Sequence, residues 1–95
     1  MDQHQEATKQ VINTFPNNFD LDASTRALHL IEEAVELANT IAKKEGKLPG
    51  TLKQDELEEG FGGVLFDLFC LANEFKINLN QIYPDQLEHF KTYSK

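Results

Sequence analysis

A chain of 95 residues makes one small domain, residues 1–95, with a core that covers roughly 60–70% of its unfolded surface. Nine basic against sixteen acidic residues give a net charge of -7, which excludes the basic stripe that a nucleic-acid polymer requires. No apolar run approaches the ~18–20 residues of a membrane span and no leader-like stretch opens the chain, so a cytoplasmic protein with no membrane partner is expected.

Four helical segments follow one another, and no stretch has the alternation of a strand. The first is predicted from Gln3 to Phe15, with Ala7, Val11, Ile12 and Phe15 as a thin apolar stripe and Pro16-Asn17-Asn18 as its stop. The second begins after Asp22 or Ser24, both good N-caps, and runs to about Lys44. Its apolar positions Ala27, Ile31, Ala34, Ala38 and Ile41 recur at helical spacing, widened by Leu28, Val35 and Ala42. Lys43 and Lys44 complement the dipole of its last turn, and Gly46 with Pro49-Gly50 marks a short loop.

The third segment, about Leu52 to Phe75, is apolar over more than one face through Leu57, Phe61, Val64, Leu65, Leu68, Phe69, Leu71, Ala72 and Phe75. A chain this short can hardly surround it, so self-association to a homodimer or homotetramer is expected, with Phe61, Leu65, Leu68 and Phe69 at the interface. Cys70 has no partner for an internal disulfide and is read as a core residue. The last segment is predicted to start near Asn78 or Asn80, to be interrupted at Pro84 and to resume to about Tyr93, with the final helix proper beginning at Pro84, where proline is well tolerated. These elements make an all-α four-helix bundle. The short loop between the second and third helices favours an antiparallel central pair.

The chemistry concentrates in Leu28-His29-Leu30-Ile31-Glu32-Glu33-Ala34-Val35-Glu36-Leu37-Ala38. Glu33 and Glu36 share a helical face with Arg26 and His29, while Glu32 lies about 100° round the helix and joins only from the edge. Like charges at these spacings repel. A helix apolar on nearly every side is buried, and buried carboxylates need cations or donors, for which a divalent metal is the natural solution. A solvated acidic face is the plain alternative. His29 is read first as paired to Glu33 one turn on, with metal ligation or orientation of a substrate group as the alternative. Arg26 either neutralises Glu33 or reaches a phosphate.

The segment Ile31-Glu32-Glu33-Ala34-Val35-Glu36-Leu37 resembles the first motif of the MazG-like, all-α nucleoside triphosphate pyrophosphohydrolases. The stretch from Val64 to Leu79, with Val64-Leu65-Phe66 and Leu71-Ala72-Asn73, resembles that family's third helix and the turn after it. The resemblance covers roughly residues 25 to 82. It implies a Mg²⁺-dependent enzyme (Mn²⁺ as an alternative ion) that cleaves an NTP or dNTP to the monophosphate and pyrophosphate. Glu32, Glu33 and Glu36 are then the metal ligands, and Arg26, His29 and Lys91 the substrate-binding residues.

The family's second metal motif, E-x-x-D before the Val-Leu-Phe segment, reads Gly60-Phe61-Gly62-Gly63 here. Both carboxylates are replaced by glycine. Glu56 and Glu59 lie one turn before these positions and Asp67 one turn after, so Glu59 and Asp67 are the candidates for the missing half and for a general base. Three glycines in four helical positions cost ~2–3 kcal/mol in propensity, which close approach of another helix at the Gly60/Gly63 face offsets. Three readings follow: a pyrophosphohydrolase of reduced activity, an inactive bundle serving as a nucleotide-sensing or protein-interaction module, and an acidic helical dimer without ligand.

Overall fold

The computed structural model describes residues 3–15 and 22–94. Among these residues the chain forms four α-helices and no strand: α1 Gln3–Ile12, α2 Ala23–Lys44, α3 Gln54–Glu74 and α4 Leu79–Phe90, with a 3₁₀ turn at Lys91–Ser94. The all-helical expectation holds. Contacts divide the chain into two compact units, one comprising Leu21–Leu68 and the other Met1–Asp20 with Phe69–Lys95.

In the first unit, α2 starts where its cap dictates. The Asp22 carboxylate accepts from the Thr25 backbone N–H at 2.7 Å, satisfying one of the orphan donors of the first turn. Its end is a Schellman turn. Gly46 takes φ 76°, its N–H bonds the Lys43 carbonyl, and the Lys47 N–H bonds the Ala42 carbonyl at 2.8 Å.

Helix α3 meets α2 along its glycines. A Cβ placed on Gly60 would stand 3.1 Å from Leu37 Cδ1 and 3.7 Å from Leu37 Cα. One on Gly63 would stand 2.5 Å from the Glu33 Oε2, whereas one on Gly62 would meet nothing. Two of the three glycines therefore answer to a close approach that side chains would prevent, as the propensity cost required. Partners fall along α3 as they rise along α2: Arg26 and His29 against Asp67, then Glu33 against Gly63 and Leu37 against Gly60.

In the second unit, Gln5 has no solvent exposure, yet every polar atom of its carboxamide is used. Its Nε2 donates to the Asn73 Oδ1 at 3.2 Å and to the Ile77 carbonyl at 2.7 Å. Its Oε1 accepts from the Leu79 N–H at 2.8 Å, and Asn73 Nδ2 donates to the Gln5 carbonyl. This staple lies over the turn between α3 and α4, where Lys76 takes φ 57°, a left-handed conformation unfavourable for a residue with a Cβ. Cys70 is half-buried.

Two elements differ in extent from the sequence reading. Helix α1 ends at Ile12 and gives way to turns that include Phe15; the proposed stop at Pro16-Asn17-Asn18 lies outside the described residues. Helix α4 begins at Leu79, where the segment is expected to start, but runs on through Pro84 without the interruption expected there. Its start is carried by caps: Asn78 Oδ1 accepts from the Asn80 N–H, and Gln5 takes that of Leu79. Pro84 then leaves the Asn80 carbonyl without its helical donor, and because Asn80 is exposed, water can serve it.

The cap at Asp22 makes a pH prediction. The Thr25 backbone N–H, and then the Thr25 side chain, hold this exposed carboxyl below its ordinary value. A depressed folded-state value stabilises above the unfolded one and is lost as pH falls through it. The melting-temperature advantage of the parent over Asp22→Ala is therefore expected at neutral pH and should shrink on acidification. A difference that persists undiminished to about pH 2 would contradict the cap.

Candidate functional site

The seam between α2 and α3 is closed at one end and open at the other. At the closed end Asp67 has no solvent exposure and Arg26 is 8% exposed. Arg26 Nη1 donates to Asp67 Oδ1 at 3.1 Å, while His29 Nδ1 lies 2.7 Å from Asp67 Oδ2. The Arg26 guanidinium also sits over the Phe66 ring, 5.9 Å from its centroid, a cation–π arrangement. Both carboxylate oxygens are thus engaged, as a buried charge requires.

The other nitrogen of His29, Nε2, is 3.5 Å from Glu33 Oε1. The expected His29–Glu33 pairing is present. Its link to Asp67, 38 residues on, is the part that spacing along one helix had no means to show.

Beyond Glu33 the seam opens into a cavity of about 420 Å³ lined by Glu33, Glu36, Asn39, Thr40, Lys43, Glu56, Glu59 and Gly60. Four carboxylates, an amide and a hydroxyl face one space, with a single lysine among them. The sequence candidates therefore separate. Glu33, Glu36 and Glu59 come together in the cavity wall. Arg26, His29 and Asp67 come together in the closed network. Glu32 is exposed and is not in the cavity lining. Lys91, in the other compact unit, is 71% exposed and pairs with Glu88 at 2.8 Å.

Asn39, Thr40 and Lys43 were not singled out as site residues, although the signal existed. Glu33, Glu36, Thr40 and Lys43 follow at steps of three, four and three along one face. Lys43 was assigned to the helix dipole, and nothing in the sequence said that it faced Glu56 and Glu59.

Among the described residues no three His, Cys, Asp or Glu side chains are gathered tightly enough to hold a metal ion. The donor chemistry nonetheless suits Mg²⁺, which takes hard oxygen ligands and is commonly held by one or two carboxylates, its own water and a substrate phosphate.

The family model of the MazG nucleotide pyrophosphohydrolase domain matches residues 22–92. The chain belongs to that family. It is also similar to the uncharacterized protein YpjD of Bacillus subtilis (strain 168), at 37% identity over 68 residues, 70% of this chain and 61% of that protein. The match spans less than two thirds of that relative's length. No solved structure matches the chain at a significant level. The matched segment of this MazG-family chain contains the whole α2–α3 seam, and no helix among its described residues is long and apolar enough to cross a membrane.

The closed end predicts an asymmetric mutational response. Asp67→Ala leaves the Arg26 charge buried without its partner and should cost ~3–5 kcal/mol. Arg26→Met with Asp67→Leu removes both charges and should recover most of that loss. Urea denaturation checks it; a cost below ~1 kcal/mol for Asp67→Ala would show that the pair is not buried in solution.

Proposed function

We propose that this MazG-family chain binds a nucleoside triphosphate or a related nucleotide with Mg²⁺ (or Mn²⁺) in the acidic cavity and releases pyrophosphate at a reduced rate. The observation that carries this reading is the cavity, which gathers carboxylates from both helices within the family-matched segment. Glu36 and Glu56 would hold the ion, with Glu33 beside them. The ion supplies charge neutralisation of the polyphosphate and lowers the pKa of a bound water.

The protein's own groups divide the remaining work. Lys43, the cation in the cavity lining, is assigned to a phosphate oxygen, a role first given to Arg26 and Lys91. Glu59 is the assigned general base, because both oxygens of Asp67 already accept from Arg26 and His29. Arg26 and His29 then act from behind the site. Set against the family pattern, the second motif has moved one turn, from residues 60 and 63 to residues 56 and 59.

The helices are assigned to an antiparallel central pair within a homodimer or homotetramer. Leu28, Ile31 and Val35 on α2 and Phe61, Leu65 and Leu68 on α3 are all exposed, Leu28 at 61% and Phe61 at 50%. Faces of this kind are what obligate interfaces cover. A second reading, the inactive nucleotide-sensing or protein-interaction module, is favoured by one observation: Gly60 and Gly63 provide no carboxylate where the family has two.

Pyrophosphate release across a panel of NTPs and dNTPs decides between them. The active reading expects slow Mg²⁺-dependent release that Glu36→Gln reduces at least tenfold, about 1.4 kcal/mol in barrier. Release that appears only in Gly60→Glu with Gly63→Asp would mark a lapsed enzyme. That rebuilding is harder than helix propensity suggests, since residue 63 must displace the Glu33 carboxylate and residue 60 must move Leu37. No release by either protein, with no nucleotide binding, would reject both readings.

A further inference from the structure

The cationic side chains of this acidic chain are unevenly placed. Residues 43–53 hold four lysines and one glutamate, a local charge of +3 in a chain of net charge -7. Lys43, Lys44, Lys47 and Lys53 are all exposed, on the last turn of α2, the loop after it and the residue before α3. Lys43 also lines the cavity with Glu33, Glu36, Glu56 and Glu59, yet it forms no ion pair with any of them. Its stem lies along the loop: a Cβ on Gly50 would stand 3.7 Å from the Lys43 Cδ and 3.8 Å from its Cε. Gly50 takes φ 123°, a conformation that glycine alone adopts readily. Lys47 meets Glu45 at 3.6 Å with both side chains more than half exposed, so that pair holds it weakly. Among the described residues, Lys44 and Lys53 have no ion-pair partner.

Helix electrostatics accounts for only part of this cluster. Lys43 and Lys44 complement the dipole of α2, but Lys53 stands at the N-terminus of α3, where positive charge is disfavoured. Solubility does not call for these lysines either, because they bring the net charge nearer to zero. We infer that Lys43, Lys44, Lys47 and Lys53 form a metal-independent site for the phosphate chain of a nucleoside polyphosphate, at the edge of the cavity that Lys43 lines. The inference deepens the nucleotide reading of that cavity, on which it rests, by placing the phosphates on ammonium groups and not on an ion. Lysines act as flexible point charges and suit an anion of dense charge without a fixed planar geometry. The small extent of the cluster selects the anion. A linear triphosphate is short enough to stay on four ammonium groups. A nucleic-acid polymer or an acidic protein segment extends onto the surrounding carboxylates and is repelled.

Calorimetric titration of the full chain with inorganic tripolyphosphate, in EDTA at low ionic strength, tests the site. Binding is expected, and Lys47→Gln with Lys53→Gln should weaken it roughly fivefold or more, since exposed charge pairs contribute about two- to fivefold each. Lys9→Gln with Lys76→Gln makes the same change in net charge elsewhere and should alter binding by less than about twofold. All four substituted positions are exposed, and a cooperative melt confirms that each double variant is folded. A nucleoside triphosphate should compete with tripolyphosphate in EDTA, and a nucleoside monophosphate should not. No binding, an equal loss in both double variants, a loss in neither, or tighter binding of a single-stranded oligonucleotide overturns the inference. Lysine-dependent nucleotide binding without Mg²⁺-dependent pyrophosphate release upholds the site and overturns the catalytic reading alone. Release by the parent that the Lys47 and Lys53 changes leave untouched, with no tripolyphosphate binding, overturns the site and leaves the cavity reading intact.

Discussion

A carboxylate with no access to solvent must be met by cations or donors from its neighbours. Asp67 on α3 is met by Arg26 and His29 on α2. Breaking such a pair on one side leaves the other charge stranded in a poorly solvated place, so the interaction fixes which residues face one another. Asp67 opposite residues 26 and 29 puts Gly63 opposite Glu33 and Gly60 opposite Leu37. The buried pair therefore sets the register of the seam, and the glycines set how near its two helices come.

That closeness has a chemical consequence. At residues 60 and 63 the family has carboxylates, and this chain has room. The room at residue 63 is taken by Glu33. At residue 60 it is taken by the flank of Leu37, whose Cα would lie within 3.7 Å of a Cβ there. A rebuilt second motif would have to force the helices apart or move both side chains. The acidity that the family places at this level appears a turn away, where Glu56 and Glu59 face Glu36 and Lys43 across the open part of the seam. Glycine at residues 60 and 63 thus leaves the α2–α3 contact without carboxylates at those two positions and lets Glu33 and Leu37 occupy the space.

Much of this was legible in the residues. Helical periodicity and the Asp22 cap located α2, and the three glycines announced a close helix approach before any partner was known. The shared face of Arg26, His29, Glu33 and Glu36 followed from spacing alone. What spacing along one helix lacks is the facing helix. Asp67 was read as a site carboxylate because it lies one turn from Gly63, and only the register shows that Arg26 and His29 take both its oxygens. Lys43 looked like a dipole complement for the same reason. The segment start near Asn78 was legible, but its continuity through Pro84 was not, nor was the cap supplied by Gln5, a residue more than seventy positions earlier.

The central claim is that the acidic chemistry of this seam has shifted one turn, away from the glycines and toward Glu56 and Glu59. Crystals soaked in Mn²⁺ and measured at the manganese absorption edge would locate the ion directly by its anomalous signal. The account predicts a peak bounded by Glu36 and Glu56. A peak beside Gly63, coordinated by Glu32 and Glu33, would contradict it.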